Sequence, residues 1–146
     1  MSDWDADGLR TRREVLGNAH VDRAVAAADE FTTDFQQFIT QHVWGSVWGR
    51  PGLDRRTRSV ITVAVLTALR AEGELELHLR AAVRNGVTPN EIKEVLLHVA
   101  AYAGVPAANT AFAIAARVLR EEGALPRATP QTGEPASRGG DSAATS

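Results

Sequence analysis

No cysteine occurs in the chain, which excludes disulfides, thiolate nucleophiles, cysteine-ligated zinc and iron–sulfur clusters. Lysine is almost as scarce. Of the 16 basic residues only Lys93 is not arginine, so a Schiff base, with pyridoxal phosphate or with a bare lysine, would rest on that one side chain. Aromatic residues are 5% of the sequence. No run of about eighteen apolar residues exists, and the opening Met-Ser-Asp-Trp-Asp is acidic where a signal peptide is basic. A soluble, cytoplasmic protein that does not enter a membrane is therefore expected. Basic excess is missing too: 18 Asp+Glu against 16 Lys+Arg give a formal charge of −2, without the electrostatic footprint of a nucleic-acid binder. What remains is the chemistry of arginine, histidine, glutamate and shape.

The chain has 146 residues, 44% of them hydrophobic, enough for one domain with a core. Half of the six prolines fall after position 125, and from Ala124 onward Leu125 is the one large apolar residue. Such a stretch cannot bury enough surface to offset its ordering entropy. The expected division is a flexible N-terminus over 1–9, a helical domain over 10–122 and a disordered tail over 123–146.

The domain reads as all-α, with about six helices and no convincing strand. A short helix near Arg12 precedes helices over Val21 to Ala28 and about Asp34 to Trp44. Asp54 caps a helix to Arg70 that is apolar on every side, as expected at the centre of a bundle or against another subunit. Gly73 separates it from a helix over Glu74 to Asn85, closed by Gly86. Thr88-Pro89-Asn90-Glu91 is a capping box with proline at the first helical position. It opens a helix to Ala103, and Pro106 starts the last one, through Leu119.

Three groups of residues carry chemical possibilities. Glu74 and His78 lie four apart at the edge of an apolar arc, where the carboxylate can orient the imidazole or raise its pKa. That is the minimum apparatus of a general acid, and equally an ordinary helix pair. Glu94, His98 and Tyr102 form a second stripe at the same spacing, readable as the polar flank of a packed helix. Neither stripe has the Glu-x-x-His spacing of bundle metal sites and no His-Glu-x-x-His occurs, so no metal is expected. Between Trp44 and Arg58 lie Trp48, Arg50, Arg55 and Arg56. Cations in a helix's first turn oppose its dipole, so these arginines fit a small polyanion held against a flat apolar wall; a solvated face is the plainer reading.

Four separated blocks resemble the carboxymuconolactone decarboxylase family, most closely its gamma-carboxymuconolactone decarboxylase branch. They are Val15-Leu-Gly-Asn-Ala-His20-Val-Asp-Arg23-Ala, Trp44 through Arg58, Leu75-Glu-Leu-His78-Leu-Arg80-Ala-Ala-Val-Arg-Asn85-Gly86-Val-Thr, and Tyr102-Ala-Gly-Val-Pro106-Ala-Ala-Asn109. The resemblance implies the alkylhydroperoxidase-like helical fold. Where alkylhydroperoxidase-like members carry Cys-x-x-Cys-x-x-x-His, this chain has Ala71, Glu74 and His78, which rules out thiol peroxidase chemistry. The acid such members carry near Arg58 and Ser59 is also missing.

The reaction implied is decarboxylation of gamma-carboxymuconolactone to the 3-oxoadipate enol-lactone and CO2, in the protocatechuate branch of the beta-ketoadipate pathway. The lactone, conjugated through its C=C, accepts the electron pair, so no cofactor is expected. From the resemblance, His78 oriented by Glu74 serves as proton donor or as electrophile at the lactone oxygen, and Arg58 with Arg55 binds the retained carboxylate. Trp44 and Trp48 wall the departing one; Tyr102, His98 and Asn109 are further polar contacts, and His20 reaches a site in a neighbouring subunit. Leu77 and Ala81 lie opposite Leu75, surface that one layer of partners cannot cover, so an obligate homo-oligomer is expected, by resemblance a hexamer. The alternatives are a cofactor-free decarboxylase or isomerase of a related lactone or keto acid, and a non-catalytic oligomer that binds small carboxylated aromatics.

Overall fold

The computed structural model describes residues 4–128. Among them are seven α-helices and one π-helix, and no strand: α1 Ala6–Leu16, α2 Asn18–Ala26, α3 Thr33–Phe38, the π-helix Ile39–Trp48, α4 Arg55–Ala68, α5 Glu72–Arg84, α6 Pro89–Ala103 and α7 Val105–Glu121. The all-α expectation holds. Most of the expected tail, 129–146, lies outside the described residues.

Two apolar clusters share α5 as a wall. Leu75, Leu79 and Ala82 on one face of α5 pack with Val63 of α4, Ile92 and Leu96 of α6, and Val118 and Leu119 of α7. Ala81 on the other face packs with Val15 and Leu16 of α1, Val21 of α2, and Trp44 and Trp48 of the π-helix, with Leu77 against them. Fully burying an aliphatic side chain such as Leu79 contributes about 1.5–3 kcal/mol. Leu77 and Ala81 are thus covered within the chain, by α1 and the π-helix, and do not argue for a second subunit. α4 differs: Ser59, Val63 and Thr67 are buried, while Ile61, Val65 and Leu69 face outward, Leu69 with 71% exposure.

Several boundaries depart from the sequence reading, each for a local reason. α1 begins at Ala6, inside the stretch expected to be flexible, because Asp5 caps it: its Oδ2 accepts from the Gly8 N–H at 2.8 Å. At the other end Ala124 and Leu125 pack on the larger cluster. Gly73 does not break a helix. The reversal between α4 and α5 is made by Arg70 at φ 57°, and Gly73 sits in the first turn of α5, where backbone N–H groups lack intrahelical partners anyway. The capping box is present in full: Thr88 Oγ1 accepts from the Glu91 N–H at 3.2 Å and Glu91 Oε1 accepts from the Thr88 N–H at 3.1 Å.

The closest packing joins α1 to the π-helix. A Cβ on Gly8 would stand 2.2 Å from the Thr40 carbonyl oxygen and 2.5 Å from Asp5 Oδ2, so nothing larger than glycine fits. Gly8→Ala should push α1 off the π-helix and cost about 1–3 kcal/mol in urea unfolding. Gly73→Ala, whose Cβ meets nothing within 4 Å, should be neutral or stabilising by up to about 1 kcal/mol.

Candidate active site

The π-helix supplies the aromatic wall. Its i→i+5 bonding shows at its end, where the Gly49 N–H donates to the Trp44 carbonyl at 3.1 Å; long π segments are rare and often mark functional sites. The sequence reading took this stretch as α-helix ending at Trp44. Thr40, Trp44 and Trp48, four residues apart, face inward, while His42, Val43 and Val47 are exposed. Trp44 and Trp48 are only 5% and 7% exposed, with ring centroids 5.2 Å apart.

His78 stands on α5 against both rings. Its imidazole is nearly parallel to Trp44, centroids 6.2 Å apart at 8°, and lies 6.2 Å from Trp48 at 22°. Burial lowers its pKa to about 4; the nearby His20 pushes the same way and Glu74 opposes them. His78 is therefore neutral near pH 7. Glu74 does act to raise the pKa, as its spacing suggests, but burial outweighs the carboxylate: Glu74 is exposed in the first turn of α5, and Nδ1 of His78 is buried without a hydrogen-bond partner in the protein. Water screens the carboxylate, so desolvation of the imidazole wins.

His20, on α2, has its pKa lowered by burial and then by the charges of Arg12 and Arg23. Arg12, on α1, is 4% exposed. Its Nη1 donates to Thr40 Oγ1 at 3.3 Å, and its Nε has no protein partner. Burial alone shifts Arg12, downward, with no carboxylate acting on it. The sequence reading missed this residue. The available signal was its position three and four residues ahead of Val15 and Leu16, on the buried face of α1.

The arginines of α4 are mostly engaged. Arg55 pairs with Glu14 and Arg56 with Glu91, so much of the cluster read as a polyanion site ties α4 to α1 and α6. Arg58 Nη2 donates to the Arg50 carbonyl at 3.3 Å, and its Nε is buried without a protein partner. His98 and Tyr102 stack on each other at 4.9 Å, both exposed on α6, and Asn109 is exposed on α7. The chain brings together Trp44, Trp48 and His78, with His20 close by; it does not bring Tyr102, His98 or Asn109 into that stack. The assembled site offers a flat apolar wall, a neutral imidazole with a free nitrogen, and buried guanidinium edges that lack acceptors. Those features suit a planar organic anion on which negative charge moves.

Comparison with known proteins agrees. A profile of the Carboxymuconolactone decarboxylase family matches residues 33–117. A 4-carboxymuconolactone decarboxylase of Acinetobacter baylyi is 51% identical over 119 residues, covering 82% of this chain and 89% of that protein. A nitrosuccinic acid decarboxylase of Metarhizium robertsii is 41% identical over 115 residues, 79% of this chain and 80% of its own length. The aligned portions include the π-helix, α4 and α5, the segments that hold the tryptophans and the buried histidine, and on both grounds the chain belongs to the carboxymuconolactone decarboxylase family.

Proposed function

We propose that this protein decarboxylates gamma-carboxymuconolactone to the 3-oxoadipate enol-lactone, in the protocatechuate branch of aromatic catabolism in the cytoplasm, through the domain at residues 10–122 and without a cofactor. The observation that carries the reading from the site is the neutral, half-buried His78 held against Trp44 and Trp48. The 51% identity to a 4-carboxymuconolactone decarboxylase supplies the substrate.

The bond that breaks joins the ring carbon to its carboxylate. The electron pair passes through the C=C to the lactone carbonyl, CO2 leaves, and a dienolate forms. One proton then adds to the carbon next to the lactone carbonyl, which gives the enol-lactone. Of the two roles expected for His78, its low pKa favours the electrophile: a neutral imidazole N–H aimed at the lactone oxygen, whose hydrogen bond strengthens as charge develops there. The apolar faces of Trp44 and Trp48 disfavour the charge of the departing carboxylate more than that of neutral CO2. Glu74 raises the pKa of His78 electrostatically, against the larger effect of burial. Arg58, with its free Nε, contributes to substrate binding from the α4 side, and Arg55, neutralised by Glu14, stands behind it.

Among the described residues no helix is long and apolar enough to cross a membrane. The outward row Ile61, Val65 and Leu69 on α4 supports a homo-oligomer, by family resemblance a hexamer. Light scattering at micromolar concentration should show an oligomer, and Val65→Asp should dissociate it; a wild-type monomer rules the assembly out.

The activity test is loss of the lactone's ultraviolet absorbance with CO2 trapped, run in parallel on nitrosuccinate because of the second relative. His78→Gln should lower kcat by at least about a hundredfold with an unchanged circular dichroism spectrum. For the wild type, kcat/KM should be flat over about pH 6–8, since the ring of the free protein is already neutral there; an acid that must be protonated would make it fall across that range. Stability carries the same signature. An unfolded ring binds its proton near 6.5 and the folded one only near 4, so stability should fall as pH drops through that window, and less so in His78→Gln.

A further inference from the structure

Arg12 is the least explained charge in the molecule. It is enclosed by its own chain at 4% exposure, so a neighbouring subunit has little of it left to reach. Among the described residues it makes no ion pair, and one of its five N–H donors is used, weakly, on the neutral Thr40 hydroxyl. Thr40 Oγ1 in turn donates to the Gln36 carbonyl at 2.7 Å, so the whole contact set is uncharged. Gln36 Oε1, also buried and without a protein partner, can satisfy a donor but cannot balance a charge. A buried cation without a counter-ion costs several kcal/mol, and a merely structural role would be filled better by an apolar side chain of similar volume.

Its neighbours give it a use. Thr40 lies one turn before Trp44 on the inward face of the π-helix, which puts Arg12 at one end of the aromatic wall. Arg58 is held to the Arg50 carbonyl, two residues past Trp48 in the chain. Arg12 acts electrostatically on His20, and His20 on His78. His20 also lines an open groove of about 640 Å³ between α2 and α5, which holds the paired Glu76, Arg80 and Glu122 and, beside them, Arg23 and Arg84, neither of which forms an ion pair among the described residues. His20 thus lines that groove and also feels the charge of Arg12, which does not itself line it.

We propose that Arg12 is the principal anion-binding residue of the site, and that its guanidinium receives the carboxylate which the substrate keeps through the reaction. This rests on the decarboxylase reading above and assigns within it a residue on α1. A permanent carboxylate is the right partner for a permanent buried cation. The departing carboxylate is then left against the tryptophans, where pairing does not stabilise it in the ground state. Arg58 becomes the weaker contact, since it is less buried and already spends one nitrogen on a carbonyl.

The test uses Arg12→Met, Arg12→Lys and Arg58→Ala in the full chain, with succinate as an unreactive dicarboxylate probe in calorimetry and the lactone in kinetics. Arg12→Met should weaken succinate binding and raise KM by about 10- to 100-fold, with kcat changed less than about threefold and the melting temperature equal to the wild type or higher. Arg12→Lys should recover part of the binding, and Arg58→Ala should cost less than Arg12→Met. Succinate affinity and KM at wild-type values in Arg12→Met overturn the proposal. So does a lowered melting temperature that Arg12→Lys restores, which marks a structural cation, and so does a larger loss in Arg58→Ala. A wild type that binds succinate through Arg12 yet turns over no lactone sinks the decarboxylase reading and keeps the anion site; turnover with an indifferent Arg12→Met does the reverse.

Discussion

The site depends on how near α1 comes to the π-helix. With hydrogen in place of a side chain at position 8, the first helix rests on the Thr40 carbonyl, and the inward face of the π-helix is fixed against Val15 and Leu16. Trp44 and Trp48 thereby become the lining of a small second core instead of surface aromatics. His78 falls on the border between that core and the larger one, because α5 turns one face to each. The imidazole's neutrality follows from this packing. It is a consequence of lost water, against which a solvent-exposed carboxylate one turn away has little leverage.

Within that corner the polar atoms break the usual rule of satisfaction. Three of the four buried side-chain atoms without a protein partner among the described residues are nitrogens of Arg12, Arg58 and His78. Native proteins tolerate few such groups, and departures from local rules concentrate where function requires them. Three unpartnered nitrogens on three different helices, two of them guanidinium N–H donors, form an environment complementary to an anion and unfavourable to an empty apolar core. By contrast Arg80 on α5 and Arg117 on α7 are paired: Arg80 bonds Glu121 and Glu122 at 2.7 and 2.6 Å, and Arg117 reaches Glu76 at 3.0 Å. The same residue type is structural there and available here.

Much of the fold was legible in the residues, and the reasons are local. The capping box at Thr88 and the apolar arc of Leu75, Leu79 and Ala82 are short-range signals that tertiary packing does not override. His78 could be named because spacing puts it at the edge of an apolar helix face, and the tryptophan pair because it stands beside a cluster of arginines. What was not legible depends on contacts distant in sequence. The contact of Gly8 with Thr40 spans three elements, so position 8 read as part of a loose terminus. Arg55 and Arg56 read as a ligand site because their partners, Glu14 and Glu91, lie on other helices. For the same reason Arg12 passed unnoticed: a buried arginine looks like any other until the acidic residues around it are counted. Glu74 acts on His78 in the direction its spacing suggests, but spacing says nothing about how much water stands between two side chains or how deeply the imidazole is buried.

In the proposed homo-oligomer, the half-exposed row on α4 ties the protein's folding to its amount. Ile61, Val65 and Leu69 stay about half exposed or more in one chain alone, while Val63 on the opposite side of the same helix anchors the main core. Whatever free energy that outer row contributes enters through association, and so scales with the logarithm of protomer concentration. A dilute sample and a crowded one therefore hold the same helix, and the site it helps to brace, with different firmness.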